Sequence, residues 1–179
     1  RGDSRKELMK HLITGDNIAL SMVRLLSVNN YAHVLCSNII TDLNSVSLNS
    51  KERAYIFPLY VYPNKSGSNQ IELEMTRNTH RKPNLNYLII SDISARIGIP
   101  FVPDHDQKAT TDHSCFSPLD LLDYVYAALH SPTYRETYKE FLKIDFPRVP
   151  YPKDAPTFWA LVALGSELRQ IHLLESPKL

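Results

Sequence analysis

Glycine is scarce in this chain: its 179 residues include only Gly2, Gly15, Gly67, Gly98 and Gly165. They lie too far apart to write GxGxxG, GxxxxGK(S/T) or GxSxG, so dinucleotide folds, P-loop ATPases and the usual serine hydrolases lose their main sequence support. Cysteine is scarcer still. Cys36 and Cys115 are the only two, without a CxxC, which excludes a disulfide framework or zinc knuckle and fits a reducing, cytoplasmic setting. No apolar run approaches the roughly 18 residues of a membrane span, and no basic segment leads into an apolar stretch as a signal peptide requires. Neither sign of charge dominates. With 20 Lys and Arg against 19 Asp and Glu, the net charge of +1 supplies no global pull toward a polyanion, so any argument for nucleic acid must be local.

What is present is the balance of a globular chain, 43% hydrophobic and 22% charged, of a length suited to one domain. The first residue is Arg1, and the chain reads as a fragment of a longer protein. Residues 4–12 predict a short amphipathic helix capped by Ser4, followed by a turn at Gly15-Asp16-Asn17. Ile18–Leu25, Ala32–Thr41 and Ala54–Tyr62 have the composition and length of strands, and Pro58 predicts that the third lies at an edge or carries a bulge. Residues 64–70 read as a surface loop before an apolar Ile71–Met75. Leu85, Leu88, Ile89, Ile93 and Ile97 recur at helical spacing up to a stop at Gly98 and Pro100. Ser117-Pro118-Leu119-Asp120 has the cap, first-turn proline and third-position acid of a helix over Pro118–His130, apolar nearly all round and hence buried. Ser131-Pro132 repeats the signal for Thr133–Lys143. The prolines of FPRVPYP predict an extended stretch, and Asp154 with Pro156 opens a last helix over Thr157–Leu174.

Strands and helices thus share the first hundred residues while the remainder is helical. The fold class expected is α+β: a small mixed or antiparallel sheet with helices in the N-terminal part, packed on a helical C-terminal part. One domain would span residues 1–179, divided into a sheet-bearing part (1–102) and a helical bracing part (117–179). Charge follows the division. Residues 1–100 hold 12 basic and 8 acidic side chains and residues 101–179 hold 8 and 11, so the sheet-bearing part is better suited to a polyanion.

Three constellations bear on chemistry. Asp104, His105, Asp106, Asp112, His113 and Cys115 are all of ligating type, but their spacing matches no named metal motif and a solvated acidic loop explains the same letters. Pro103-Asp104 and Asp106-Gln107-Lys108 are too close together for the two strand-borne elements of a PD...(D/E)xK nuclease. His11, His130 and His172 fall on predicted helices, where capping or packing is their ordinary role. The third constellation runs from Arg24 to Arg53, where Asn29, His33, Asn38, Asn44 and Ser47 are interspersed with Tyr31 and flanked by Lys51. Asn and Arg bond bidentately to purine edges, and Ser reaches phosphates. The same residue types crowd loops for turn reasons alone, and composition by itself favours that reading.

The block SPLDLLDYVYAALHSPTYRETYKEFLKIDFPRVPYP, followed by FW.L..LG.ELR..HLLE, resembles the C-terminal segment of single-polypeptide type I (type ISP) restriction-modification enzymes and related fused restriction-methylation proteins. TGDNIALSMVRLLS, HVLCSNIITD and YIFPLYVYP resemble that family's target-recognition region, so the similarity covers nearly the whole chain. In such enzymes one polypeptide joins a nuclease, an ATP-driven translocase, an adenine-N6 methyltransferase and a target-recognition domain. The chain lacks the (D/N/S)PP(Y/F/W) loop with which amino-methyltransferases hold the target amine, so the resemblance implies that methyl transfer happens elsewhere in the parent.

The resemblance implies a module that recognises double-stranded DNA without turnover, holds no cofactor or metal of its own, and serves a parent using SAM, and ATP with Mg if the translocase is present. The reading edge would be the strands and loops between Arg24 and Arg53, a region and not individual contacts, within which Arg24, Asn29, His33, Asn38, Asn44 and Ser47 are the candidates. Lys51, Arg53, Arg77, Arg81 and Lys82 would be phosphate contacts, and the parent's other domains would be partners. A structural docking module and a metal-dependent hydrolase are the alternatives.

Overall fold

In the computed structural model the described residues are 9–13, 16–27, 31–49, 52–62, 81–103 and 112–179. Residues 9–13 are helical. Ser4, Gly15, the loop at 64–70 and the apolar segment Ile71–Met75 lie outside the described residues.

The sheet is antiparallel, with β1 (Ala19–Val23) between β2 (Val34–Ser37) and β3 (Ala54–Pro58). Every residue of β1 is buried because the strand is covered on both faces. Leu20 and Met22 join Val34 and Cys36 of β2 against Tyr126, Leu129 and Leu142 of the helical part, while Ala19 packs with Leu12 and Ile56 on the opposite side. All three strands are shorter than the sequence pattern, because apolar residues continue into the connections after the pairing ends. Pro58 closes edge strand β3. The Leu59 amide donates to the Ile18 carbonyl at 2.8 Å, so pairs alternate to leave the Pro58 nitrogen pointing away from β1, where a missing N–H costs no ladder bond. A second ribbon pairs β4 (Tyr60–Val61) with β5 (Lys82–Pro83). Asn17 joins the two sheets: its buried amide donates to the Tyr60 carbonyl at 2.8 Å and accepts from the Tyr60 N–H at 3.1 Å.

The helices follow their sequence punctuation closely. α1 (Tyr87–Ile97) is capped by Asn86 and stopped by Gly98 at φ 69°, a left-handed position that suits glycine. Its buried stripe is Ile90, Ile93 and Ile97, at i, i+3 and i+7. Leu88 and Ile89, expected in that stripe, point outward because Ile90 takes the core-facing position of that turn. α2 (Pro118–His130) has the full capping box, with Ser117 and Asp120 exchanging hydrogen bonds. The helix expected over Thr133–Lys143 divides into α3 (Pro132–Thr137) and α4 (Lys139–Leu142) at Tyr138, whose φ of −106° and ψ of 16° leave the helical region.

The extended FPRVPYP segment crosses over these helices and is fastened by two buried tyrosines. The Tyr134 hydroxyl donates to the Arg148 carbonyl at 3.0 Å and the Tyr124 hydroxyl to the Pro150 carbonyl at 2.8 Å. α5 (Ala155–His172) is capped by Asp154, which accepts from the Thr157 amide at 2.8 Å. It crosses α2 so closely at Gly165 that a Cβ there would sit 1.9 Å from the Asp123 carbonyl oxygen. One turn on, Arg169 forks onto the buried Asp123 carboxylate at 2.7 and 3.0 Å. Among the described residues no helix is long and apolar enough to cross a membrane.

Candidate nucleic-acid interface

The stretch from Arg24 to Arg53 leaves and re-enters the sheet at the end where Val23 and Ala54 form the last register pair. Its organising group is Glu52, whose side chain has no solvent exposure. Burial alone would raise its pKa. The carboxylate, however, accepts from the Ser27 hydroxyl at 2.5 Å, the Ser47 hydroxyl at 2.5 Å, the Ser27 amide at 2.6 Å and the Asn49 amide nitrogen at 3.1 Å. Together these donors win and hold Glu52 at about 2. His33 places Nε2 3.5 Å from the same carboxylate. Two residues expected to read DNA, His33 and Ser47, are therefore turned inward, tying the β1–β2 and β2–β3 connections to one anion. The sequence contained this hub only as an unremarkable acid between Lys51 and Arg53.

Arg24 and Arg53 leave the sheet side by side beyond that last pair, and both are exposed. Arg24 pairs with Asp145 at 3.1 Å and lies 5.9 Å over the Phe146 ring. Hydrogen bonds from the Phe146 backbone and from Arg24 hold Asp145 below the ordinary carboxylate range. Between the two arginines and the far end of β3, Tyr55 and Phe57 occupy the strand's alternate positions. They are 48% and 40% exposed, on the same face as their register partners Met22 and Leu20. Phe146 meets both rings edge-on, at 5.1 and 5.5 Å with interplanar angles of 85°. Neither ring was among the residues expected at the site. The period-2 pattern of AYIFP, with its two aromatics on one face, was the signal that could have found them.

The other expected contacts are dispersed. Asn38 is exposed after β2 and donates to Glu175 at 3.1 Å. Asn44 is exposed in a turn, with its backbone amide donating to the Asp42 carboxylate at 2.8 Å. Arg81 lies at the opposite end of the sheet, its guanidinium 4.1 Å over the Tyr60 ring and donating to the Asp16 carbonyl at 3.3 Å. Lys82 is exposed beside Tyr87, 5.9 Å over its ring. Asn29, Lys51 and Arg77 lie outside the described residues. The structure thus brings together Arg24 and Arg53 at one end of β1, and Arg81 and Lys82 at the other.

Of the ligating letters around residues 104–115, Asp104–Asp106 lie outside the described residues. Asp112 accepts from the Ser114 amide and hydroxyl at 3.0 and 2.8 Å, and His113 stacks on Trp159 at 4.2 Å with the rings 10° apart. Among the described residues, no three His, Cys, Asp or Glu side chains are grouped to hold a metal ion. The histidines on the helices serve packing and hydrogen bonding: His11 accepts from the Tyr62 amide at 3.0 Å, and the His172 ring meets the Tyr126 hydroxyl at 2.5 Å. His130 Nδ1 lies 3.0 Å from Arg135, which only donates, so that nitrogen must be the unprotonated acceptor.

A sheet-and-helix scaffold, with exposed rings on edge strand β3, two exposed guanidinium groups at one end of the sheet and its polar network turned inward to shape loops, defines a binding module. More narrowly, the chain belongs to the family described as the Type ISP C-terminal specificity domain, which it matches over residues 2–179. A specificity domain recognises the DNA target of a restriction-modification enzyme; it is a recognition module and not the catalytic part. No curated protein matches the sequence. Among solved structures, the chain is similar to part of one described as the cryoEM structure of a DrdV-DNA complex. The two are 24% identical with a TM-score of 0.60, over 89% of this chain and 12% of that one, a likeness of fold.

Proposed function

We propose that this chain grips duplex DNA along its sheet, with Arg24 and Arg53 at one end of β1 and Arg81 and Lys82 at the other as the principal cations. In this reading it positions an adenine-N6 methyltransferase, carried on the same cytoplasmic polypeptide, over a base flipped from the helix. SAM, and ATP with Mg for a translocase and nuclease, belong to those other parts. The observation that carries the reading is the pair of exposed guanidinium groups, Arg24 and Arg53, beside exposed rings on edge strand β3, in a chain of the specificity-domain family. The DNA in the DrdV complex, bound by a protein of similar fold, supports it.

Phosphate contacts by Lys and Arg set affinity and its salt dependence, whereas contacts to base edges set sequence preference. Lys51 and Arg77 join Arg53, Arg81 and Lys82 as proposed phosphate contacts. Arg24, Asn29, Asn38 and Asn44 are proposed base readers, with His33 and Ser47 acting through the loop that Glu52 holds.

The test is binding of the whole polypeptide to a duplex across a salt series. Replacing Arg53, Arg81 or Lys82 singly by Ala should weaken binding to every sequence alike and flatten the log–log salt slope by about 1 per lost phosphate contact. Arg24→Ala and Asn38→Ala should instead change the motif methylated in a host genome. Unchanged slopes for all three cations would remove them from the phosphate list. Failure of the whole polypeptide to bind any duplex in a salt-dependent way would leave only the docking role.

A further inference from the structure

Large aromatic side chains on a small domain are usually buried, and rings left exposed together mark a surface that meets something. Tyr55 and Phe57 are such a pair: alternate residues of an edge strand, 48% and 40% exposed, on one face. Both are braced on that face, from the side of the helical part. Phe146 stands edge-on to each, and the segment that carries it is tied to the helices through the Tyr134 and Tyr124 hydroxyls. The rings therefore present apolar area that loses little freedom on contact. Cationic groups flank them, with Arg24 and Arg53 at one end of the strand and Asp145 as the nearby acid that Arg24 already occupies.

We infer that Tyr55 and Phe57 are sequence-reading side chains that contact the 5-methyl groups of thymines in the major groove of the target duplex. The inference rests on the duplex-binding reading above and adds the chemistry that is read. The major groove is wide enough for a β-ribbon, and the one apolar group on its base edges is the thymine methyl. Alternate residues of a strand stand about 6.8 Å apart, close to two base-pair steps of about 3.4 Å each. Two rings on one strand face therefore meet two nearby positions while Arg53, one alternate residue before Tyr55, reaches a flanking phosphate. The Phe57 ring cannot satisfy the donors and acceptors of a guanine or cytosine edge, and it leaves such groups stripped of water, which adds discrimination against those pairs at its position.

The test uses the full polypeptide and two random duplex libraries, one made with thymine and the other with deoxyuridine in its place, which differ only in the 5-methyl group. The wild-type protein should enrich a motif from the first library containing thymines whose preference falls about fourfold per methyl in the second, the worth of burying one methyl-sized group. Tyr55→Ala or Phe57→Ala should reduce preference at those same positions and leave the remaining positions of the motif unchanged. Equal motifs and affinities from the two libraries would overturn the inference. Salt-dependent binding and an enriched motif would then still stand, so the duplex-binding reading would survive. Absence of binding to either library would overturn both.

Discussion

Glu52 shows what a single buried charge accomplishes in this domain. Four hydrogen bonds from three neutral residues converge on a carboxylate without solvent exposure, Ser27 from the β1–β2 connection and Ser47 and Asn49 from the β2–β3 connection. Glu52→Ala would leave those donors unpaired in the interior, at a cost of about 1–3 kcal/mol each for the ones water cannot reach. We expect a lowered denaturation midpoint, and relaxed sequence preference without a change in salt slope. The sign of its pH dependence follows from the lowered pKa. With a folded value of about 2 against 4.5 for a free group, Glu52 contributes its full stabilisation above pH 4.5 and loses it as the pH falls toward 2. The difference in unfolding free energy between wild type and Glu52→Gln should therefore shrink between pH 5 and pH 2, as measured by denaturant titration.

His130 is a second residue whose protonation the fold opposes. Burial first, and then the Arg135 guanidinium bonded to its Nδ1, lower its pKa from 6.5 to about 4. A depressed value means that the neutral ring is the one the folded state binds. Stability is full above pH 6.5 and declines as the pH falls toward 4. An NMR titration should place the His130 midpoint below that of an ordinary histidine, and Arg135→Leu should move it upward. A normal midpoint in the folded protein would contradict this pairing.

At the scale of elements, the contact between α2 and α5 decides how the bracing part holds the sheet. Gly165 lets the two helices touch, and the Asp123–Arg169 fork fixes their register one turn away. Gly165→Ala must push the Asp123 backbone aside, since 1.9 Å is far inside any non-bonded contact, and an overpacked core of this kind costs about 1–3 kcal/mol or more. Arg169→Ala leaves a buried carboxylate unpaired and should cost about 3–5 kcal/mol. Both sites adjoin Asp123, so the double variant should be less destabilised than the sum of the single ones, a coupling that a denaturant double-mutant cycle would measure.

The elements themselves were largely legible. Local punctuation set the start of α2, the caps of α1 and α5 and the extended proline segment, because caps and prolines act within a few residues of where they stand. The break at Tyr138 and the outward turn of Leu88 and Ile89 were not legible. In both, the competing conformations have similar local preferences, and packing against other elements chooses between them.

At the scale of the whole molecule, Arg24, Arg53, Arg81 and Lys82, the expected cations among the described residues, divide into two clusters at opposite ends of a five-residue strand, about 17 Å apart at the rise of an extended chain. That span is long enough to meet more than one phosphate, so substitutions at the two ends should add in their effect on binding free energy, readable from a four-variant binding cycle at fixed salt.

The sequence by itself determined the α+β class, the helix boundaries within a few residues and, through its C-terminal motif series, the family. These rest on local propensity and contiguous pattern. Only the tertiary structure decided which residues of the Arg24–Arg53 stretch face outward. The inward turn of His33 and Ser47 toward Glu52, and the outward presentation of Tyr55 and Phe57 against Phe146, join residues far apart in the chain. Such juxtapositions arise from the competition of all buried surfaces for one core, which no local window of sequence contains.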